Sequence, residues 1–425
     1  MSTTPLPPSA IKRYSRQLLV PSFGIPPQIA LQNATVLLVG AGGLGSSAAL
    51  YLAGAGVGTL HLVDGDVVER SNLHRQIIHT EAAADARLDK VASAANSLRA
   101  LNSHCVVVPH AVFLTCANAL ALVERADVVV DGTDNVGTRY ILSDACVLAG
   151  KPLVSGAAIG MDGQATVYNY QNQGPCYRCR FPAPPKAAQS CSDAGVLGPV
   201  PGLIGVLLAM EAIKIAAGVG RPLSGRMYHY DALEGRSMVF QLPTRREGCM
   251  CEMERRSGSK SGRTMQDTRC FLEEHRLSLH EEEKEEGGKA AQCATDSCPP
   301  ETKNNTNTLD VSHCVSCSEY QHIVEAEKLA TATSSSRVHV LLDVRVPHQY
   351  ALCALPNALN IPLAQLPTRL EELRGKGDIY VMCRRGIASV KATEYLLDQQ
   401  FDSVFNVNGG LDAWCVEVDA SLPMY

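Results

Sequence analysis

Residues 35–64, TVLLVGAGGLGSSAALYLAGAGVGTLHLVD, decide the fold. An apolar run enters Gly40, Gly42 and Gly45, spaced as G-x-G-x-x-G, and a second apolar run ends on Asp64. Glycine there permits a tight turn and a close backbone approach to phosphate, whose charge is favoured at the N-terminus of the following helix. Asp64, 24 residues after Gly40, is placed to bond a ribose hydroxyl. The pattern predicts strand, phosphate loop, helix and strand. Alone, it fits a nicotinamide-dinucleotide enzyme.

Outward from this stretch, CVVVPH (105–110), DVVVDGTDN (127–135), LVSGAAI (153–159) and ATVYNY (165–170) alternate with helix-like runs. Short β-rich runs separated by helices predict a Rossmann-like α/β domain on a mostly parallel sheet, placed at residues 1–252. The apolar run Val196–Met210 is too short for a bilayer and predicts a buried helix leading into LLAMEAIKIAAG. Residues 253–313 are polar, with EEEKEE at 281–286, and are read as a disordered charged linker containing a transient helix at CFLEEHRLSL (270–279). Strand-like HVLLDVR (339–345), ALNIP (358–362), IYVMC (379–383) and VFNV (404–407), with a helix at 389–400, predict a second, smaller α/β domain at 314–425.

Composition narrows the function. A chain of 425 residues is long enough for two or three domains. A net charge of −5, one Trp and seven Phe supply neither the basic surface nor the stacking platforms of a nucleic-acid binder. The N-terminal MSTTPLPPSAIKRYSRQ has no apolar core of a secretory signal, so a cytosolic enzyme without membrane attachment is expected. Sixteen cysteines then imply reduced thiols, metal ligands or reactive sulfur rather than a disulfide framework.

The company of the glycine loop argues against a dehydrogenase. Ser71-Asn72-Leu73-His74-Arg75-Gln76 follows Asp64, and Asp131-Gly132-Thr133-Asp134-Asn135 closes a later strand. Arg75 and Lys90 suit a triphosphate, and Asp134 suits magnesium beside it. The stretch from Gly40 to Gln76 resembles the adenylation core of the ubiquitin-activating-enzyme-like superfamily. The branch is that of molybdopterin synthase sulfurylase and the eukaryotic adenylyltransferase–sulfurtransferases. The resemblance covers residues 13–251 and 315–425. It implies that Gly43, Asp64, Ser71, Asn72, Leu73, His74, Arg75, Lys90, Asp134 and Asn135 bind ATP, with Asp134 on Mg2+. It also implies that Arg16 is offered to the active site by the second subunit of a homodimer. This chain has two extra residues between Arg75 and the helix carrying Lys90.

The cysteines sort by context. Cys176-x-x-Cys179 and Cys249-x-Cys251 offer four thiolates for a structural Zn2+, although the relatives carry C-x-x-C at both places. Cys191, in QSCSDAGVLGPV, resembles the cysteine that receives the carrier's C-terminal glycine. Cys383 ends a strand and CRRGIAS turns into a helix, a cradle for a thiolate or persulfide beside Arg384 and Arg385. That loop is similar to the rhodanese active loop. Cys293, Cys298, Cys314 and Cys317 are read as incidental linker thiols. Cys105, Cys116, Cys146, Cys353 and Cys415 are read as core, and Asp343 with Arg345 as a structural ion pair.

The resemblance implies ATP-dependent adenylation of the C-terminal glycine of a ubiquitin-like sulfur-carrier protein ending in Gly-Gly. A Cys383 persulfide, loaded by an upstream cysteine desulfurase or sulfurtransferase, then delivers sulfur to give a thiocarboxylate. The product serves tRNA wobble-uridine thiolation, molybdopterin synthesis, or both. The alternative is an activating enzyme used for protein conjugation, against which the rhodanese-like loop speaks.

Overall fold

The computed structural model describes residues 6–172, 174–183, 195–252, 264–265, 267–269, 311–330 and 339–422. They fall into two units, one within Met1–Ala294 and one within Thr295–Tyr425.

The first unit is built on eight strands: β1 Thr35–Val39, β2 Thr59–Val63, β3 Val106–His110, β4 Val128–Asp131, β5 Leu153–Ile159, β6 Asp162–Tyr168, β7 Arg226–Asp231 and β8 Arg236–Gln241. Its helices are α1 Pro8–Leu18, α2 Ile25–Asn33, α3 Gly43–Ala55, α4 Glu81–Asp85, α5 Lys90–Leu101, α6 Ala119–Glu124, α7 Val136–Leu148, α8 Tyr177–Arg180 and α9 Pro199–Ala217. The sheet order is β3-β2-β1-β4-β5-β6-β7-β8. Strands β3 to β5 in that order are parallel, and β6 to β8 continue antiparallel. The mostly parallel Rossmann-like sheet expected from the sequence is therefore present.

A parallel strand between two helical layers is apolar on both faces, which is why the TVLLV run does not alternate with polar residues. Val36 and Leu38 enter the core on one face, whereas Leu37 and Val39 enter the core on the other. Each such fully buried side chain contributes roughly 1.5–3 kcal/mol. Pro109, which has no N–H to donate, is tolerated because β3 is an edge strand. Helix α9 is long and apolar enough by composition to cross a membrane, but half of that stretch is buried in this unit. It packs on α3 and β5, as its reading as a core helix requires.

Two described residues of the expected linker pack on the first unit. Met265 is buried in the core beside α7, and the buried Thr268 donates its hydroxyl to Asp144 at 2.9 Å. The region is polar on average, but these two side chains are buried all the same. The helix expected at 270–279 lies outside the described residues.

The second unit has five parallel strands, β9 Cys314–Val315, β10 Val340–Asp343, β11 Leu359–Asn360, β12 Ile379–Met382 and β13 Val404–Val407, in the order β11-β10-β12-β13-β9. Around them lie α10 Cys317–Ala330, α11 Pro347–Leu352, α12 Ile387–Asp398 and α13 Gly410–Glu417. Asp343 and Arg345 form the expected buried ion pair, with Arg345 Nε 2.9 Å from Asp343 Oδ1. Arg345 also donates to the Cys353 carbonyl at 2.7 Å. One reading is corrected here. Cys314 and Cys317 are not incidental linker thiols: Cys314 pairs in β9, and Cys317 is buried at the start of α10. The Cys317 thiol donates to the carbonyls of Asn408 and Gly410.

A nucleotide-type cleft, a four-cysteine knuckle and a cradled thiol

The sheet order of the first unit reverses between β1 and β4, and the carboxyl ends of strands at such a point leave a crevice. Two loops meet there. Gly40 has φ +92°, and a Cβ on it would lie 2.8 Å from the Gly132 carbonyl oxygen. A Cβ on Gly45 would lie 1.8 Å from Gly40 O, so the loop after β1 closes on itself only with glycine. The result is a cleft of about 410 Å³.

Gly43, Asp64, Asn72, Arg75, Lys90, Asp134 and Asn135 all line it, bringing together seven residues singled out from the sequence. Asp64 accepts the Ala41 N–H at 2.8 Å and the Asp66 N–H at 2.9 Å. Burial pushes its carboxyl up, against the opposing pull of Lys90 and those two donors. Lys90 opens α5, and its ammonium lies 2.8 Å from Asp66 Oδ2. Arg75 donates to Asn72 Oδ1 and to the Ser71 carbonyl, each at 3.2 Å, and its Nη1 lies 3.2 Å from His74 Nε2. Asn135 caps α7 by accepting the Thr138 N–H at 3.1 Å.

Ser71, Leu73 and His74 are not among the lining residues. Ser71 and His74 hold the Arg75 guanidinium, and Leu73 packs against Val68, Ala83 and Ala84. Arg16 is exposed on α1, outside the lining. Cys191 lies outside the described residues.

The cleft also contains groups the sequence reading passed over. Asp66 and Glu69 line it, as does Gln76, which is 4% exposed and has no hydrogen-bond partner on Oε1. Gln76 directly follows Arg75 in the SNLHRQ run, so its position was the available signal. Asp131 is buried and fixes the loop before Asp134. It accepts from Thr133 N–H at 3.0 Å, Thr133 Oγ1–H at 2.7 Å and Ser155 Oγ–H at 2.7 Å. Arg139 donates to the Thr133 and Gly156 carbonyls at 2.6 and 3.0 Å. The carboxylate of Asp134 is thus carried on a backbone held from both sides.

Cys176, Cys179, Cys249 and Cys251 converge at α8, all four sulfurs within 4.8 Å of one another. Neighbouring sulfurs are 3.8 Å apart for Cys176–Cys179, 3.5 Å for Cys176–Cys249 and 3.4 Å for Cys179–Cys251. Four thiolates around zinc at about 2.3 Å define a tetrahedron with edges of about 3.8 Å. The donor set and its dimensions therefore fit zinc. The missing spacer residue is absorbed because Cys249 and Cys251 face different partners. Arg245 steadies this turn by donating to the Gly174 and Cys251 carbonyls at 2.8 and 2.9 Å.

In the second unit Cys383 is 4% exposed at the end of β12, its sulfur 3.4 Å from Ser389 Oγ in the first turn of α12. The carbonyls of Cys383 and Arg384 each accept an N–H at 2.9 Å, from Leu411 and Asp412 at the start of α13. That contact needs glycine at 410, where a Cβ would fall 2.4 Å from Cys383 O. The sulfur therefore sits at the positive end of α12 in a loop whose shape is fixed from below. Arg384 is shared with Asp412 at 3.4 Å, which tempers the positive charge expected beside the thiol. Arg385 is exposed on the loop.

A phosphate-loop cleft with opposed cations and carboxylates, on one chain with a cradled cysteine, defines a two-activity transferase. Residues 14–251 match the ThiF family, and residues 325–417 match the rhodanese-like domain. An Arabidopsis thaliana protein named adenylyltransferase and sulfurtransferase MOCS3 is 44% identical over 99% of this chain and 86% of its own length. The protein of that name from Sus scrofa is 43% identical over 100% of this chain and 91% of its own. The crystal structure of E. coli MccB with MccA-N7isoASN is similar in fold, with a TM-score of 0.50 and 22% identity over 60% of this chain and 75% of that one. The chain belongs to the ThiF family, in its adenylyltransferase–sulfurtransferase group with a C-terminal rhodanese-like domain.

Proposed function

We propose that this enzyme adenylates the C-terminal glycine of a ubiquitin-like sulfur-carrier protein and converts it to a thiocarboxylate with sulfur from Cys383. The observation that carries the reading is the joint lining of one cleft by the glycine loop, Arg75, Lys90 and Asp134. The apolar wall of Val63, Val112, Phe113 and Leu114 suits a purine, and Asp64 suits its ribose. Arg75 and Lys90 suit the phosphates, with Ser71, Asn72, Leu73 and His74 forming and holding the turn that presents Arg75, while Asn135 holds the Asp134 loop. Four carboxylates, Asp64, Asp66, Glu69 and Asp134, line a cleft that must accept a polyanion. Such a balance calls for a divalent cation entering with ATP, which we assign to Asp134 as Mg2+. When bound, the cation neutralises charge on the phosphates.

In the first step a carboxylate oxygen of the Gly-Gly tail attacks the α-phosphorus. The bond to the bridging oxygen breaks and pyrophosphate leaves. Arg75 and Lys90, with Arg16 reaching over from the second subunit of a homodimer, stabilise the developing charge. In the second step the outer sulfur of a Cys383 persulfide attacks the activated carbonyl and AMP leaves. Cys191 serves either as the thiol that attacks Cys383 Sγ, releasing the thiocarboxylate and leaving a disulfide, or as an earlier thioester acceptor, in which case AMP leaves on its attack and the persulfide displaces the Cys191 thiolate. The persulfide comes from an upstream cysteine desulfurase or sulfurtransferase. We place the enzyme in the cytosol, where thiols stay reduced; the described cysteines are all free. The purified full chain should catalyse ATP–pyrophosphate exchange only with a carrier ending in Gly-Gly. Mass spectrometry of the carrier, with a persulfide donor present, should show one oxygen replaced by sulfur. Exchange without the carrier, or no sulfur on it, contradicts the reading.

The four-cysteine knuckle is assigned one structural Zn2+ with no open coordination position. Replacing both Cys249 and Cys251 by Ser should abolish zinc in elemental analysis and lower the melting temperature of the first unit. A loss of about 2 kcal/mol already corresponds to roughly 4–8 °C in a unit of this size. Parent protein without zinc, melting at the same temperature as the double variant, would show the knuckle to be vestigial.

A further inference from the structure

We propose that His79 is a positioning residue for the adenylation cleft, setting the phosphate loop through a single backbone carbonyl. This rests on the cleft being the nucleotide site.

His79 is 6% exposed and is not among the residues that line the cleft. Its Nε2 lies 3.0 Å from the carbonyl oxygen of Ala41, the residue between Gly40 and Gly42, and its Nδ1 lies 3.0 Å from Ser93 Oγ on α5. A carbonyl only accepts, so Nε2 carries a proton, and in the neutral ring Nδ1 accepts from the serine hydroxyl. Burial lowers the affinity of the ring for a second proton, with Lys90 adding to that effect and the Ala41 carbonyl opposing it. The neutral ring is the form that burial favours.

The Ala41 backbone is thereby gripped twice. Its N–H donates to Asp64 at 2.8 Å, and its C=O accepts from His79. In a trans peptide the N–H points opposite the C=O of the same plane. Drawing Ala41 O down onto a buried ring therefore turns the Gly42 N–H the other way, on the side where Gly42 and Gly43 line the cleft. Through Ser93 the ring joins the phosphate loop to α5. The backbone N–H of His79, independent of the ring, donates to the Gln76 carbonyl at 3.2 Å and ties the residue to the turn that carries Arg75. Ser93 belongs to the helix that starts at Lys90, and Ser97 of that helix donates to the Ile78 carbonyl at 2.8 Å. Two cleft elements, the loop after β1 and α5, thus meet at one imidazole outside the cleft lining.

The test compares His79→Leu, His79→Gln and Ser93→Ala in the full chain. It reads ATP affinity by calorimetry, ATP KM and kcat in pyrophosphate exchange, melting temperature, and persulfide formation on Cys383 as a control. A glutamine amide donates from the Nε2 position and accepts at its oxygen. His79→Gln should therefore stay within about three-fold of the parent, while His79→Leu weakens ATP binding and raises its KM by about 10–100-fold. Ser93→Ala frees the ring to rotate and should raise KM by about three- to ten-fold. A purely packing role predicts the reverse pattern, with Leu harmless to KM below its melting temperature and Gln no better than Leu. If His79→Leu does not fold, an unchanged KM in Ser93→Ala overturns the proposal and a raised one supports it. Parent protein that fails to bind ATP would instead overturn the assignment of the cleft itself.

Discussion

Cys383→Ala abolishes thiocarboxylate formation while leaving ATP–pyrophosphate exchange at the parent rate. The substitution removes the sulfur that receives and passes on the persulfide, and no other side chain at the start of α12 supplies a thiol. The loop should survive, because its carbonyls are held by the N–H groups of Leu411 and Asp412 rather than by the side chain of Cys383. Alanine also fits a buried site without adding a polar group, so a destabilisation of about 1 kcal/mol is the most to expect. The adenylation cleft is built wholly from residues of the first unit and is unaffected. Product is measured by mass spectrometry of the carrier with a persulfide donor, and exchange with labelled pyrophosphate. Undiminished thiocarboxylate in the variant would remove Cys383 from the mechanism. Loss of both activities would mean that the two units are not chemically separable.

Asp134→Ala has the opposite signature. Pyrophosphate exchange falls by about 10²–10³-fold, the range seen when one preorganised electrostatic contact to a developing charge is lost. Asp131, Arg139 and the Asn135 cap hold the loop in place on either side, so removing the carboxylate leaves the backbone undisturbed. Asp134 itself is exposed, and the melting temperature should hardly move. Persulfide loading of Cys383 continues. The variant should also lose the dependence of exchange on magnesium concentration that the parent shows. Near-normal exchange would dissociate Asp134 from the metal and send the search to Asp66 or Glu69.

The sequence disclosed most where function and local geometry coincide. The strand–glycine–helix run at 35–55, the DGTDN turn and the strand-to-helix turn at Cys383 each occupy a continuous segment, and each was legible from spacing and residue type. The four-cysteine cluster was legible because paired cysteines are rare and have little other use. What escaped notice joins distant segments. His79 acts on Ala41, 38 residues earlier, and nothing in a lone histidine after an apolar pair announces that partner. Asp131 looked like the end of a strand, although its carboxylate organises the loop that carries Asp134. Cys317 looked incidental because its role is to fill space under Asn408 and Gly410, 91 and 93 residues further on. Met265 and Thr268 were hidden by the polarity of their neighbours. A mean over a window cannot register two buried side chains.

The four-cysteine knuckle lies against the same helix that begins at the loop carrying Asp134. The Tyr177 N–H, one residue after Cys176, donates to Ser143 Oγ at 3.2 Å, and Arg178 grips Asp144 through Nε at 2.8 and 3.0 Å and through Nη2 at 2.6 Å. Ser143 and Asp144 are on α7, whose other end is capped by Asn135 directly after Asp134. Without the zinc assigned to it, the knuckle would lose what draws its four thiols together, and the braces on α7 would lose their footing. The Cys383 cradle shares no residue with that path. Loss of the zinc assigned to the knuckle would thus weaken the chemistry of the first unit and spare the Cys383 cradle, so that sulfur would accumulate on a protein with nothing activated to receive it.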